Sequence, residues 1–221
     1  MPKSPTKRRP LTVAALNESA LALFTEHGFH ATSIRDIVAR AGLTRGAFYS
    51  NYEDKEQLFL ALYDQQIDKL LADLRTAFTS ANTSRGRNAD TDADTDADTD
   101  ADTPQDVPSR LLRELAERRR EDEGWFLLSM EFTLHAARHP EVARSLAEHE
   151  ARLIDGLVEL IEEATDHAPE IRPRDLARLL VILHEGATAM RLTEEARGEQ
   201  AEFPEDLLHR VVDGLFHPAA G

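Results

Sequence analysis

The sequence predicts an all-α protein of about nine helices, in which a small N-terminal three-helix domain precedes a larger C-terminal helical bundle. Apolar residues recur at intervals of three and four along most of the 221 residues, which is the spacing of one helix face. Glycine or proline stands at most breaks in this pattern, as is common where helices end or begin. No segment shows the alternation of apolar and polar residues that is typical of a strand.

The first two predicted helices are bounded by capping residues. Thr12 is suited to cap the start of the first helix, and Gly28 its end. The pair Thr32 and Ser33 opens the second helix, which Gly42 closes after about two turns. The apolar positions are Val13, Leu16, Ala20, Leu23 and Phe24 in the first helix and Ile34, Ile37, Val38 and Ala41 in the second.

A third short helix and a long fourth helix follow. Thr44 is predicted to cap the third helix, in which Phe48 and Tyr52 are four residues apart and therefore share one face. Asp54 and Gln57 have the spacing of a capping box and introduce the fourth helix. The apolar positions of this fourth helix are Leu58, Leu62, Ile67, Leu70, Leu71, Leu74 and Phe78.

An acidic repeat separates these four helices from the rest of the chain. Between Ala89 and Thr103 the unit Ala-Asp-Thr-Asp recurs, which places seven Asp in fifteen residues without a large apolar side chain. Self-repulsion and the missing apolar surface predict a disordered, extended linker over residues 82–107. A calcium site is not expected, because the glycine turn and the spaced glutamate of a calcium-binding loop are missing.

Five further helices are predicted after the linker. The breaks between them lie at Gly124 and at prolines that are each suited to a first helical turn. The predicted ranges are 108–120, 125–138, 140–164, 173–196 and 204–216. We therefore treat residues 108–221 as one helical domain.

The charge of the chain is divided unequally. Residues 1–55 contain eight Lys or Arg and five Asp or Glu, a net charge of +3, which leaves −18 for residues 56–221 because the total is −15. This division favours attraction of nucleic acid by the N-terminal part alone. Cysteine is absent, and neither a signal peptide nor a run of about 18 apolar residues occurs. We expect a cytoplasmic protein without a membrane segment, a cofactor or a metal ion.

Residues 32–52, TSIRDIVARAGLTRGAFYSNY, have the anatomy of a helix-turn-helix: a short capped helix, a turn with glycine and a second short helix. The second helix of such a motif projects N-terminal side chains into the DNA major groove, where all four base pairs are distinguishable. Arg45 is the strongest candidate for reading a base, since its guanidinium pairs with the two acceptors of guanine. The outward positions near the bases are Thr44, Arg45, Gly46, Ala47 and Tyr49, and the predicted phosphate contacts are Ser33, Thr44, Tyr49, Ser50, Asn51 and Lys55.

The N-terminal arm, residues 1–10, is basic through Lys3, Lys7, Arg8 and Arg9. Such an arm can follow the adjacent minor groove or neutralise phosphates. Charged chain ends are also commonly just solvated. Both interpretations of the arm stay open from the sequence.

Residues 11–66 resemble the DNA-binding domain of the TetR family of bacterial regulators. The resemblance rests on the order of several blocks in LALFTEHGFHATSIRDIVARAGLTRGAFYSNYEDKEQLFLAL, among them Phe-x-x-x-Gly-Phe, Thr-Ser, Ala-Gly, Gly-x-Phe-Tyr and Lys-Glu-x-Leu. It implies base-region contacts at Thr44, Arg45 and Ala47 and structural roles for Phe48 and Tyr52. It also implies a homodimer on a near-palindromic operator, with residues 108–221 pairing the subunits and binding a small-molecule effector. The resemblance implies a repressor that the effector releases from DNA, and an activator is the alternative.

The C-terminal residues permit both roles that this resemblance implies. Two apolar stripes suit a dimer interface of paired helices, although they also fit an intramolecular core. The stripes are Leu176, Leu179, Leu180, Leu183, Ala187 and Met190, and Leu207, Leu208, Val211, Val212, Leu215 and Phe216. An apolar effector pocket is predicted from Trp125, Phe126, Met130, Leu134, Leu157 and Ile161.

Two other functions fit part of the sequence. Glu131, His135 and His139 recur every four residues and so share a helix face, which suits a metal-dependent hydrolase. The His-Glu-x-x-His arrangement that supplies a general base is missing, which argues against an enzyme. The acidic linker suits a scaffold that binds a basic partner, and such a protein keeps its activity after the double change Arg45→Ala and Tyr49→Ala.

Overall fold

A computed structural model describes residues 8–88, 123–164 and 171–199. Within these ranges the chain forms seven helices and no strand, which confirms the predicted all-α class. The helices are α1 (Arg8–His27), α2 (Ile34–Arg40), α3 (Arg45–Tyr49), α4 (Lys55–Asn88), α5 (Glu123–Ala136), α6 (Pro140–Ala164) and α7 (Pro173–Ala196). The helices predicted over 108–120 and 204–216 lie outside the described residues, as does most of the predicted linker. Among the residues that the structure describes, no helix combines the length and the apolar character that a membrane span requires.

Two helix ends differ from the predicted ones. α1 begins at Arg8, so Thr12 lies inside the helix and does not cap it. Pro10 is compatible with this earlier start, because a first helical turn needs no backbone donor at the proline position. α4 continues to Asn88, through residues 82–88 of the predicted linker. The linker is predicted from composition alone. An established helix extends readily beyond its apolar positions, because each added residue contributes a hydrogen bond.

The predicted caps of α2 and α3 are confirmed. Ser33 Oγ accepts a hydrogen bond from the Asp36 amide at 3.2 Å, and the Asp36 carboxylate accepts one from the Ser33 amide at 3.3 Å. Thr44 Oγ1 accepts a hydrogen bond from the Ala47 amide at 3.2 Å. These bonds satisfy amides that have no partner inside the helix, so they stabilise helices of only seven and five residues.

The predicted capping box of α4 is present in a modified form. The Asp54 carboxylate accepts a hydrogen bond from the Gln57 amide at 2.7 Å, as expected of a capping residue. The Gln57 side chain accepts a hydrogen bond from the Glu53 amide at 2.7 Å, one residue earlier than in the standard arrangement. Both bonds fix the start of α4 at Lys55.

The described residues divide into two compact units. Unit 1 contains residues 8–68 and 123–151, so α5 and the first part of α6 belong with the N-terminal helices. The predicted domain of residues 108–221 stays a prediction, but in space α5 and the start of α6 pack with the N-terminal helices. The physical reason is that buried side chains of α5 and α6 complete the apolar core of the first four helices. The core includes Leu16, Phe24, Phe29, Ile37, Phe48, Phe59, Leu62, Leu128, Phe132, Ala136 and Leu146.

Unit 2 contains residues 69–88, 152–164 and 171–199, which comprise the later parts of α4 and α6 and all of α7. α4 and α6 approach closely at Gly156, where a Cβ atom would lie 2.3 Å from Leu71 Cδ1. An exposed ion pair joins α6 to α7, with Arg174 Nη1 at 2.6 Å from Asp155 Oδ1. The buried apolar side chains of this unit are Leu71, Leu74, Leu157, Leu160, Ile161, Leu176, Ala177, Leu180 and Ala187.

Candidate nucleic-acid interface

Helices α2 and α3 are joined by a short turn that hydrogen bonds define. Gly42 has a φ of +64°, a conformation that glycine adopts without strain. The Leu43 amide donates to the Val38 carbonyl at 2.8 Å and so closes the end of α2. Ile37 and Phe48 are both fully buried, and they anchor the two helices in the core of unit 1. The two helices therefore form the predicted helix-turn-helix.

The outer side of α3 carries most of the predicted base-region residues. Arg45, Gly46 and Tyr49 are exposed, and Tyr49 exposes 55% of its surface. Arg45 and Tyr49 are four residues apart and so lie on the same helix face. A Cβ atom at Gly46 would have Thr44 Oγ1, at 3.7 Å, as its nearest neighbour, so the backbone is open to close approach. Thr44 is exposed as well, whereas Ala47 is half-buried.

The end of α3 is held by side-chain hydrogen bonds. Ser50 Oγ donates to the Gly46 carbonyl at 2.7 Å, and Asn51 Nδ2 donates to the Ala47 carbonyl at 2.8 Å. Arg9 Nε donates to Asn51 Oδ1 at 3.3 Å, which connects the start of α1 to the end of α3. One of the predicted phosphate contacts, Asn51, therefore lies beside a cation.

Two exposed arginines add positive charge to this part of unit 1. Arg9 belongs to the predicted basic arm, but it lies within α1, and residues 1–7 of the arm are outside the described ranges. Arg35, in the first turn of α2, is exposed and is missing from the predicted contacts. Its position directly inside the capped start of α2 is the signal that could have identified it. Arg40, in contrast, forms an ion pair with Glu26 at 2.8 Å.

Lys55 has a structural role in unit 1, and its predicted phosphate contact stays a prediction. Its Nζ donates to the carbonyls of Phe29 at 2.6 Å and Thr32 at 2.8 Å, and it lies 4.3 Å from the centre of the Phe29 ring. Burial lowers the pKa of Lys55, because it disfavours the charged form. The prediction missed these partners because they lie 26 and 23 residues earlier in the chain.

The inner aromatic residues are structural, as the resemblance implies. Tyr52 OH donates to Asn17 Oδ1 at 2.6 Å, and both residues are buried. Burial raises the pKa of Tyr52. The bond ties α1 to the segment that follows α3, while the ring of Phe48 packs 5.8 Å from that of Tyr52.

The alternative metal site is not formed by the residues whose placement is described, among which no three His, Cys, Asp or Glu side chains are arranged to hold an ion. The Glu131 carboxylate accepts hydrogen bonds from the amides of Phe29 at 2.8 Å and His30 at 3.1 Å. The rings of His135 and His139 lie against each other, with 4.2 Å between their centres. Glu131 is therefore engaged by the turn after α1, which corrects the hydrolase alternative.

Three histidines meet where α5 packs against that turn. The centre of the His135 ring lies 5.1 Å from that of His30 and 4.2 Å from that of His139. His135 Nε2 lies 3.3 Å from Glu56 Oε1. The pKa of His135 is lowered, first because the ring is buried and then because protonated neighbouring histidines repel a second charge; Glu56 acts in the opposite direction.

We predict that acidification destabilises the protein through His135. The unfolded chain has the ordinary histidine pKa of about 6.5, whereas the folded chain binds this proton less readily. The stabilising contribution of His135 is therefore complete above about pH 6.5 and is lost as the pH falls through the lowered pKa of the folded state. Urea unfolding at about pH 7.5 and about pH 5.5 should show a larger loss of unfolding free energy in the wild type than in His135→Phe.

The matched control for this measurement is His27→Gln, which changes an exposed histidine at the end of α1. It should keep the pH dependence of the wild type. Equal losses in the wild type and in His135→Phe would contradict the prediction.

The six predicted pocket residues lie in different units. Unit 1 contains Trp125, Phe126, Met130 and Leu134 of α5, and unit 2 contains Leu157 and Ile161 of α6. The Trp125 ring stacks on Phe59, with 5.6 Å between ring centres and 9° between planes, so it contributes to the core of unit 1. Leu134 exposes 58% of its surface. An effector pocket that these residues share stays a prediction.

The predicted dimerisation stripe of α7 contains both buried and exposed residues. Leu176, Leu180 and Ala187 are buried, which fits the intramolecular alternative that the sequence left open. Met190 exposes 56% of its surface, and Ile182, which lies outside the predicted stripe, exposes 64%. α7 therefore keeps an exposed apolar side at Ile182 and Met190.

Comparison with known families accounts for both parts of the chain. A family model described as "Bacterial regulatory proteins, tetR family" matches residues 16–62. Another, described as "Tetracyclin repressor-like, C-terminal domain", matches residues 102–216, which is more than half of the 221 residues. This chain belongs to the TetR family. Membership confirms the resemblance of residues 11–66, and it confirms that the protein is a regulator and not an enzyme.

Curated relatives match this TetR-family chain over limited stretches. The TetC protein of transposon Tn10 from Escherichia coli is 42% identical over 65 residues, which cover 29% of this chain and 33% of TetC. The transcriptional repressor ComR of Escherichia coli strain K12 is 41% identical over 59 residues, which cover 27% of this chain and 28% of ComR. The chain thus matches a third or less of the length of these relatives.

Solved structures match nearly the whole chain. GusR of Salmonella enterica has a TM-score of 0.66 at 22% sequence identity, covering 97% of this chain and 99% of GusR. The multidrug-binding protein EbrR, solved with imidazole, has a TM-score of 0.64 at 20% identity, covering 98% of this chain and 97% of EbrR. At these identities the likeness establishes the shared all-helical fold.

Proposed function

We propose that this TetR-family protein is a homodimeric transcriptional repressor that binds a near-palindromic operator and leaves it when a small molecule binds. The observation that carries the proposal is the outer side of α3, where Arg45 and Tyr49 are exposed on a capped helix anchored by the buried Phe48. A helix fixed in this way meets the major groove with little further loss of conformational entropy. The similarity to the repressor ComR supports repression as the sign of regulation.

The proposed contacts divide into those to bases and those to phosphates. Arg45 reads a guanine through its planar guanidinium, and Ala47 offers its methyl group to a thymine. Thr44 lies at the start of the reading helix, and Gly46 allows its backbone to approach the DNA. The proposed phosphate contacts are Ser33, Tyr49, Ser50 and Asn51, with Arg9 and Arg35 as additional cations. Lys55 is left out because its ammonium binds carbonyls of the turn after α1.

The homodimer places two copies of α3 on one face of the DNA. A two-fold axis between the subunits brings the reading helices into successive major grooves, about 34–36 Å apart, so the operator has two related half-sites. The exposed apolar side of α7 at Ile182 and Met190 supports a subunit interface there, since a second copy would remove it from water.

The effector acts by preferring one conformation of the dimer. A molecule that favours a different spacing of the two reading helices lowers operator affinity only to the extent of that preference. The fold neighbour EbrR is described as a multidrug-binding protein, which supports a small molecule as the effector of this chain. Because operator DNA lies in the bacterial cytoplasm, we place the protein there.

The test is a selection of DNA from a random pool with the full-length protein at low salt. We expect enrichment of one near-palindromic sequence, two chains per DNA by light scattering, and an affinity that falls steeply as salt rises. Small molecules are then screened for release of the selected DNA. Failure to enrich any sequence would overturn the proposal. Enrichment that is unchanged in the Arg45→Ala and Tyr49→Ala double variant would overturn the role of α3 and favour the scaffold alternative.

A further inference from the structure

The turn between α1 and α2, residues 28–32, is held from two sides by charged side chains of unit 1. Glu131 of α5 accepts hydrogen bonds from two consecutive amides, that of Phe29 at 2.8 Å and that of His30 at 3.1 Å. Lys55 of α4 donates to two carbonyls of the same turn at 2.6 and 2.8 Å. A carboxylate and an ammonium thus satisfy backbone donors and acceptors within one short segment.

The backbone of the turn is shaped to receive the carboxylate. Gly28 has a φ of +84°, and a Cβ atom there would lie 2.8 Å from Glu131 Oε2, so a larger residue would strain the backbone and displace the carboxylate from its two amides. The next residue, Phe29, is buried, and its ring centre lies 5.0 Å from that of Phe132, the neighbour of Glu131 on α5. Hydrogen bonds and an aromatic contact therefore attach the same turn to the same helix.

The attached turn leads directly into the helix-turn-helix. Thr32 Oγ1 donates to the carbonyls of Gly28 at 2.8 Å and Leu23 at 3.1 Å, which fixes the last residue of the turn against the end of α1. The following residue, Ser33, caps α2, and α3 packs on α2. A shift of the turn therefore changes where α2 begins and how α3 is oriented.

We propose that Glu131 is the positioning residue through which α5 sets the orientation of α2 and α3 for operator binding. This inference rests on the proposed function and names a residue outside the helix-turn-helix on which operator binding depends. Glu131 lies in the part of the chain that the C-terminal family model matches, whereas the turn lies in the part that the N-terminal model matches. When the carboxylate is removed, two amides lose their partner and the turn samples several positions, so DNA binding must order it again.

The test compares operator affinity between the full-length wild type and the variants Glu131→Ala and Glu131→Gln, on the DNA that the wild type selects. Each measurement is made where circular dichroism shows the variant to be folded. We expect a loss of about tenfold for alanine and about threefold for glutamine, whose carbonyl oxygen still accepts one hydrogen bond. The salt dependence of affinity keeps its wild-type slope, because no phosphate contact is removed.

Two further measurements separate positioning from a merely structural role. Amide hydrogen exchange at Phe29 and His30 should become faster in Glu131→Ala. Glu131 and Lys55 hold the same turn. The double variant of Glu131→Ala and Lys55→Met should therefore lose less operator affinity than the sum of the losses in the two single variants. The control Glu141→Gln changes an exposed carboxylate at the start of α6 and should bind the DNA like the wild type.

The outcomes distinguish this inference from the proposed function. If the wild type enriches a DNA sequence and folded Glu131→Ala and Glu131→Gln bind it as tightly, the positioning role is overturned and the proposed function stands. A lower unfolding free energy with unchanged operator affinity would likewise reduce Glu131 to a structural residue. If the wild type enriches no sequence, the proposed function fails, and the inference fails with it.

Discussion

Replacing Phe132 with alanine is expected to lower the free energy of unfolding by about 3–5 kcal/mol, because it removes a large side chain from a core that cannot close around the cavity. Phe132 is fully buried, and its ring stacks on Phe59 with 3.8 Å between ring centres and packs edge-on against Phe29 at 5.0 Å. The two aromatic contacts add to the burial of the ring itself. Urea unfolding of the full-length variant at constant pH measures the loss.

Leu127→Ala is the matched control for Phe132→Ala, since Leu127 lies on the same helix but exposes 57% of its surface. Its unfolding free energy should stay within about 0.5 kcal/mol of the wild type. Similar values for the two variants would contradict the packing of α5 in the core of unit 1. They would favour the predicted division, in which residues 108–221 form a domain of their own.

Replacing Arg45 with alanine is expected to reduce affinity for the selected operator by about tenfold to a hundredfold, as for the loss of a bidentate contact to guanine. Arg45 is exposed on the first turn of α3, so its removal disturbs no core contact, and the unfolding free energy should stay within about 0.5 kcal/mol. Fluorescence anisotropy with labelled operator DNA measures the affinity. Arg144→Ala, which removes an exposed arginine of α6, is the control and should bind like the wild type.

The pattern of the loss at Arg45 shows which atoms of the DNA it contacts. A base contact predicts that Arg45→Ala discriminates less at one base pair in each half-site while the salt dependence is retained. A phosphate contact predicts the reverse: equal weakening on all sequences and a salt slope smaller by about one. The second pattern would show that Arg45 contacts a phosphate and that other residues of α3 contact the bases.

Helix ends that depend on local chemistry are predictable from the sequence. Ser33 and Thr44 cap through bonds to amides three residues away, and Gly28 ends α1 with a positive φ, so spacing contains the necessary information. Pro140 and Pro173 begin α6 and α7 at the predicted residues, because proline is accepted in a first helical turn. The exposed side of α3 follows in the same way from helical periodicity.

Partners that are distant along the chain are not predictable in this way. Lys55 and Glu131 both engage the backbone of Phe29, which lies 26 and 102 residues from them. Periodicity indicates which face of a helix is buried, but not which helix covers it. This explains why the sequence does not show that Lys55 and Glu131 bind the turn after α1, and why Glu131 first suggests a metal ligand. It also explains why the sequence does not show that Phe132 of α5 packs against Phe29 and Phe59.

The short length of α3 has a consequence for how such regulators diverge. A helix of five residues does not persist alone in water, so its shape depends on Thr44, Ser50 and Phe48 and on the scaffold around them. The exposed side chains of Arg45 and Tyr49 form none of the capping bonds, although the Tyr49 ring packs edge-on against that of Phe48. Substitutions at these two exposed positions can therefore change which DNA sequence is bound while the rest of the helix-turn-helix keeps its structure. A duplicated gene can in this way acquire a new target sequence.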